Sequence, residues 1–378
     1  MMCIASYYSL YLHGNLTYMM KYTMLVYMGL LDYLKRRSDK KRGKERFILC
    51  LDGGGMRGII PATLLMHIEK TLHTISDDRP LYSHFDLIAG TSTGGLIALA
   101  LSSPFKNELF NHVDKSMSMV SNIAQIYREY GQTIFPKGNS IFPTQVINQL
   151  FSHKYDDASF NHLLYNLFGN TTLQEALTPT MVVSYNYTHD KPYIFSNTLT
   201  PHALVRLAAR ATSAAPTYFP PAFYFDEISK ENIPLIDGGV VANNPVLYAY
   251  KEAKRLYPEA EKFHIISLGT GKSSQRIEID KSNGGVLSWF DPVRGTPLHQ
   301  IYASCQMNTS DEIAHILDDV TYLRIHKDIG KKIKLDETDP KILTHMSDFA
   351  DDLFNEYKEE ITSYLSLCSQ IKIKPNRP

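Results

Sequence analysis

FILCLDGGGMRGIIP, residues 47–61, decides the fold. An unbroken apolar run ends in Asp52, three glycines follow, and after Arg57 the chain turns apolar again. A short continuous apolar run is what a strand buried on both faces of a sheet requires. GIIPATLLMHIEKTLH, 58–73, then spaces Ile60, Leu64, Leu65, Ile68 and Leu72 for one face of a helix. Strand, glycine turn and helix together open an α/β fold. Three consecutive missing side chains also mean that something must approach this turn closely. Backbone N–H groups converge there on a site for negative charge, either a phosphate or an oxyanion that develops in acyl transfer.

The alternation continues outward. HFDLIAGTS (84–92) repeats the strand-to-turn pattern, and TGGLIALALSS (93–103) reads as the helix after it. TPTMVVSYNY (178–187) and KPYIFSN (191–197) read as an antiparallel pair, and IPLIDGG, FHIISLGTG and TYLRIHK as further strands. Residues 104–178 are mostly helical and loop-like, an insertion beside the sheet. PHALVRLAARATSAAPTYFPP (201–221) gives a helix begun by one proline and stopped by another. DPKILTHMSDFADDLFNEYKEEITSYL (339–365) closes the fold as one long amphipathic helix with Pro340 near its start. PTYFPPAFYF (216–225) is expected as a buried aromatic strand, with lipid contact as the alternative. No repeat and no long linker breaks the pattern. One domain is therefore expected over 46–370, after a leader of 1–45 and before a tail of 371–378.

Composition narrows the partners. Lysine plus arginine and aspartate plus glutamate both number 39, so no whole-chain charge argues for nucleic acid. Cys3, Cys50, Cys305 and Cys368 are scattered, form no metal-like cluster, and read as reduced thiols, which favours the cytoplasm. The Tyr- and Met-rich leader is interrupted by His13, Asn15 and Lys21, too often for a span of about 20 apolar residues. It fits a secretory signal poorly, although secretion stays open. KRRSDKKRGKER, 35–46, makes the leader either a solvated extension or a basic amphipathic segment for peripheral contact with anionic lipid. MGLLDYLKRR offers Met28 as an alternative start.

The chemistry centres on AGTSTGG, residues 89–95, which matches G-x-S-x-G with Ser92 at its centre. A serine on a sharp strand-to-helix turn points its hydroxyl out of the sheet, and Gly90 and Gly94 avoid clashes that a Cβ would create. The following helix N-terminus adds free N–H groups and a positive dipole end. Serine still needs a base. His264, His299, His315, His326 and His345 follow in the chain, but none sits in a glycine-shaped loop. LIDGGVVANNP, 235–245, is the better source: Asp237 ends a strand, and Gly238 and Gly239 let it approach another loop closely. Its plainer reading is a turn residue.

Two nucleotide patterns are set aside. Gly53, Gly55 and Gly58 fit G-x-G-x-x-G, but the acidic residue a dinucleotide needs would be Asp77 or Asp78, in a turn after the helix. SLGTGKSS, 267–274, has Ile266 where a P-loop requires its first glycine. With Ser92 a few dozen residues on, an oxyanion hole is the more economical use of the triple glycine. No metal or other cofactor is called for.

DGGGMRG, GTSTGG and DGG, in that order, together with ATSAAPTYFPP, ANNP and SLGTG, resemble the patatin-like phospholipases, in their plant patatin and bacterial branch. The likeness runs from about residue 46 to the final helix. It implies a three-layer α/β/α fold with a mostly parallel central sheet, and lipid acyl hydrolysis through an acyl-serine without a metal. It implies Ser92 as nucleophile, Asp237 as base, and Gly53, Gly54 and Gly55 as oxyanion-hole donors. Arg57 would steady phosphate or oxyanion charge, with Gly58 beside it. Phospholipid or another acyl lipid is the implied partner. Two alternatives share the fold: a storage or lipid-binding protein, and an effector silent until a partner or ligand orders its loops.

Overall fold

Strand β1 (Glu45–Leu51) is buried from Arg46 to its end, as the apolar run requires. Phe47, Leu49 and Leu51 enter one apolar layer, while Ile48 and Cys50 enter the other. A strand hidden on both faces needs helices on both faces, and this sets three layers. The computed structural model describes residues 44–75, 77–104, 118–136, 154–226, 229–272 and 297–373. Of the expected leader only residues 44 and 45 lie within them. Met28, and residues 374–378 of the expected tail, lie outside.

Among the described residues the sheet has eight strands. After β1 come β2 (Leu87–Thr91), β3 (Thr180–Asn186), β4 (Lys191–Ser196), β5 (Ala222–Asp226), β6 (Glu231–Asp237), β7 (Lys262–Leu268) and β8 (Val320–Ile325). Five of them, in the order β8-β7-β1-β2-β3, run parallel. From β1 the chain proceeds to β2 on one side, and β7 later fills the other. The strand order therefore reverses at the carboxyl ends of β1 and β7, where open α/β sheets leave a crevice.

Strand β3 has a double role. Its residues Met181–Asn186 pair antiparallel with β4 on one edge, confirming the expected pair. The other edge is divided: β2 takes Thr180–Val183 in parallel, and β6 takes Ser184–Asn186 antiparallel. The register sets Thr91 opposite Val183 and Asp237 opposite Ser184. Two strands distant in sequence thus abut at their carboxyl ends. Beyond β6 lies β5 as an edge strand.

Helices α1 (Ile59–Thr74), α2 (Thr93–Ser102), α3 (Met119–Ile134), α4 (Ala158–Phe168) and α5 (Val205–Thr212) cover one face of the sheet. On the opposite face lie α6 (Gly239–Ala242), α7 (Val246–Leu256) and α8 (Pro297–His315). The last two, α9 (Pro340–Glu356) and α10 (Lys358–Ile373), return to the first face. All five apolar residues expected on one side of α1 are buried. Among the described residues no helix is long and apolar enough to cross a membrane.

Three expectations change. The single closing helix is two helices, broken at Tyr357 (φ −95°, ψ 15°). The first is capped by Asp339, whose Oδ1 accepts the Lys341 N–H at 2.9 Å, and it packs along α1. The second carries Tyr364 to the sheet, where its hydroxyl donates to the His264 carbonyl at 3.0 Å. One straight helix could not reach both targets. Next, the helix expected from Pro201 to Pro216 spans only Val205–Thr212, because the Thr212 hydroxyl donates to the Val183 carbonyl and ends it against β3. Finally, the aromatic strand is only half buried. Tyr224 packs edge-on against Phe195 at 5.2 Å, but Phe223 and Phe225 are 59% and 54% exposed on the edge strand.

Ile48 and Leu49 point to opposite faces, so Ile48→Ala and Leu49→Ala should each cost about 2–5 kcal/mol in chemical denaturation. A loss confined to one of them would mean that one layer is not packed.

Candidate active site

Ser92 is the single residue between β2 and α2, and it holds φ 54°, ψ −124°. A positive φ on a residue with a side chain costs of order 1–3 kcal/mol and persists only where its surroundings fix it. Here the Ser92 N–H donates to Thr212 Oγ1 at 2.9 Å, and the Ser92 carbonyl accepts the Leu96 N–H at 3.0 Å. Side chains at Gly90 and Gly94 would run into the Gly94 and Leu51 backbones respectively. The sharp turn therefore depends on both glycines.

The division of the β3 edge delivers the partner. Ser92 Oγ donates to Asp237 Oδ2 at 2.6 Å. The second carboxylate oxygen accepts the Gly239 N–H at 2.7 Å, and the Asp237 N–H donates to the Ala214 carbonyl at 3.0 Å. Gly238 is required because any Cβ would run into the Val183 carbonyl. Asp237 is buried, and burial pushes its carboxyl up to about 6, although the Ser92 and Gly239 hydrogen bonds pull it back.

The triple glycine passes directly beside the serine. A Cβ on Gly53 would lie 3.2 Å from Ser92 Cβ and would collide with the Asn243 side chain. Gly54 is pressed against Thr270, and Gly55, at φ 58°, against the Leu335 carbonyl. Gly58 is hemmed in by Thr93 and Tyr127. The loop is thus squeezed from three sides, which answers why three side chains are missing. Its amides are not equivalent, and this corrects one expectation. The Gly53 N–H already donates to the Asn243 carbonyl at 3.0 Å, so it has no proton left for an oxyanion. The Gly54 and Gly55 N–H groups have no partner among the described residues. Arg57 braces the loop, with Nη1 donating to the Gly271 carbonyl at 2.9 Å.

Below the loop lies a buried ionic network that the sequence reading missed. Arg324 donates to both oxygens of Asp52, at 2.9 and 2.5 Å, and lies 3.2 Å from Asp311. Burial pushes the Asp52 carboxyl above its ordinary range, and the guanidinium pulls it back. Asp311 also accepts from Tyr322 and Asn244, both at 2.6 Å. The signal was a lone arginine inside the strand TYLRIHK. Thr212, Asn243 and Thr270 were likewise not singled out.

Among the described residues no histidine is hydrogen-bonded to Ser92 or Asp237. His264 sits near the amino end of β7, stacked on Phe47 at 4.8 Å and paired with Glu45 at 2.6 Å. His326 packs under Gly269, and burial together with Arg324, Arg57 and Lys272 holds its pKa well below the ordinary value. Asp77 lies in the loop after α1, bound by Arg79 at 2.7 and 2.8 Å and by Ser369 at 2.7 Å, as the turn reading anticipates.

A family model described as patatin-like phospholipase matches residues 49–250. Patatin-like protein 2 of Oryza sativa subsp. indica is 31% identical over 325 residues, which span 77% of this chain and 78% of that protein. The Solanum tuberosum protein named "Probable inactive patatin-3-Kuras 1" is 30% identical over 277 residues, 66% of this chain and 70% of its own. Among solved structures, VipD from Legionella pneumophila aligns over 83% of this chain and 67% of that one, at 12% identity and a TM-score of 0.40.

The Asp237 carboxyl makes a stability prediction. Its folded pKa lies above the ordinary value of 3.8, so the folded state binds the proton more readily, and stability falls as pH rises from about 4 to about 6. Asp237→Asn removes that penalty and should be more stable than the parent at pH 8 by roughly 1–3 kcal/mol. The gap should close below about pH 4. Urea titrations at the two pH values check this, and a variant no more stable at pH 8 would show that the carboxylate is not destabilised by burial.

Proposed function

Since the chain belongs to the patatin-like phospholipase family, we propose that it is a lipid acyl hydrolase in which Ser92 is the nucleophile and Asp237 its general base. The observation that carries this reading is the 2.6 Å hydrogen bond from Ser92 Oγ to Asp237 Oδ2. In the reaction the Asp237 carboxylate takes the hydroxyl proton while Oγ attacks the acyl carbonyl carbon. The carbonyl oxygen becomes an oxyanion facing the Gly54 and Gly55 N–H groups. Collapse of the tetrahedral intermediate expels the alcohol, which leaves with the proton from Asp237, and an acyl-serine remains. Water then gives a proton to Asp237 and its hydroxyl to the acyl carbon. The acid departs and Ser92 Oγ recovers its proton.

Burial supports the base assignment. A carboxyl with a pKa near 6 is a better proton acceptor than an ordinary aspartate, yet it is still ionised at neutral pH. One relative carries the name "Probable inactive patatin-3-Kuras 1", so the reading for this chain rests on its own site rather than on family membership alone. In this chain the intact contact, and two amides with no partner among the described residues, favour catalysis over storage.

The acyl chains of such a substrate lie in a lipid surface. We assign contact with that surface to Phe223 and Phe225, exposed on the strand paired with β6, which itself ends in Asp237.

On a soluble short-chain ester, Ser92→Ala should abolish turnover, and Asp237→Asn should lower it by about 10²–10⁴-fold while the protein stays folded. The parent's kcat/KM should fall as pH drops through about 6. Full activity in either variant would remove the dyad. Phe223→Ser combined with Phe225→Ser should weaken sedimentation with phospholipid vesicles and spare soluble-ester turnover. Unchanged vesicle binding would place the lipid contact elsewhere.

A further inference from the structure

We infer that Asn243 and Thr270 are positioning residues that aim the Gly54 amide at the oxyanion. The inference rests on the hydrolase reading above and assigns a part of the site that this reading leaves unexplained. A trans peptide points its C=O and its N–H in opposite directions, and no cis bond is present among the described residues. The Gly53 carbonyl and the Gly54 N–H belong to one such unit, so whatever fixes the oxygen also fixes the hydrogen.

The oxygen is held twice. Thr270 Oγ1 donates to it at 2.8 Å and Asn243 Nδ2 at 3.2 Å, which occupies both of its lone pairs. Asn243 also accepts the Gly53 N–H through its own carbonyl, so a single residue grips Gly53 at both ends. Thr270 in addition fills the space where a Gly54 side chain would stand. The peptide plane cannot turn without breaking these contacts. Donors on the oxygen also polarise the unit and strengthen its N–H as a donor, by about 10–30% per bond in condensed phases.

Asn243 is itself anchored. Its N–H donates to Gln306 Oε1 at 3.0 Å, and Gln306 Nε2 donates to the Val240 carbonyl at 3.2 Å. Asn243 directly follows α6, the short turn that begins two residues after Asp237. One stretch of chain therefore carries the base at one end and the clamp on the oxyanion donor at the other. The second amide is treated in the same way. The Gly54 carbonyl accepts the Arg57 N–H at 3.2 Å, which steadies the peptide unit that carries the Gly55 N–H.

A merely structural threonine would affect folding or binding, whereas a positioning threonine affects the transition state. Thr270→Val keeps the volume and removes the donor. On a soluble ester it should lower kcat about 10- to 100-fold at unchanged KM, less than or equal to the effect of losing an oxyanion donor outright. Thr270→Ser restores the hydroxyl and should return kcat to near the parent value. A trifluoromethyl ketone, whose serine adduct bears an oxyanion, should lose affinity for Thr270→Val by the same factor. Asn243→Asp offers the Gly53 oxygen no donor at nearly equal volume. It should show the same split, and it decides the matter if Thr270→Val fails to fold. Parent-like kcat in both variants, a change confined to KM, or no rescue by serine overturns the clamp while leaving the hydrolase reading intact. A parent protein that neither turns over the ester nor is labelled at Ser92 by a fluorophosphonate overturns both.

Discussion

The site depends on how one edge of β3 is shared. Strands β2 and β6 occupy successive halves of that edge from opposite directions, and their carboxyl ends meet between Val183 and Ser184. No flexible loop has to bring Ser92 to Asp237, because two ladders of backbone hydrogen bonds do so. Side chains on β3 and α5 lock the join. Ser184 Oγ donates to the Ile236 carbonyl at 2.7 Å, and Thr212 links the Val183 carbonyl to the Ser92 N–H. A slip of β6 by one residue would turn Asp237 to the other face of the sheet.

This arrangement keeps two carboxylates, Asp52 and Asp237, out of water. Asp52 is compensated by Arg324, whose guanidinium grips both of its oxygens. Among the described residues Asp237 has no cation as a hydrogen-bond partner, only a hydroxyl and a backbone N–H. The contrast follows from what each does. Asp52 lies at the end of β1, where its N–H also donates to the Leu268 carbonyl at 3.1 Å and ties the two central strands under the glycine loop. A cation placed on Asp237 would lower its pKa and weaken it as a base. In the proposed reaction, leaving it unpaired gives up stability for proton affinity.

The legible parts of this molecule were those written in local pattern. FILCL declared a strand buried on both faces, and Gly90 and Gly94 declared a turn too tight for side chains. Asp237 could be singled out because two glycines follow it. The grip of Asn243 on Gly53 was not legible, since it joins a side-chain amide to a backbone carbonyl 190 positions away and leaves no local pattern. The same fact hid the loss of the Gly53 N–H to the Asn243 carbonyl. Periodicity also cannot say which side of a strand remains uncovered. Phe223 and Phe225 alternate as a core strand would, yet they lie on the edge strand and are exposed among the described residues. The break at Tyr357 escaped for a related reason: the apolar spacing is helical on both sides of it, and only the positions of two separate packing targets impose the bend.

The absence of a histidine from the contact follows from the same strand meeting. An imidazole relaying a proton must stand between hydroxyl and carboxylate, which separates their oxygens by the width of a ring and two hydrogen bonds. Here those oxygens are 2.6 Å apart, and the distance is set by β2 and β6 rather than by a rotatable side chain. The far carboxylate oxygen is no more available, since the Gly239 N–H occupies it at 2.7 Å. Inserting a ring would require the ends of two paired strands to separate and Gly238 to leave its seat against Val183. In the proposed reaction this geometry leaves no room for a relay, so the proton affinity that histidine would supply has to come from the carboxylate itself, which burial raises.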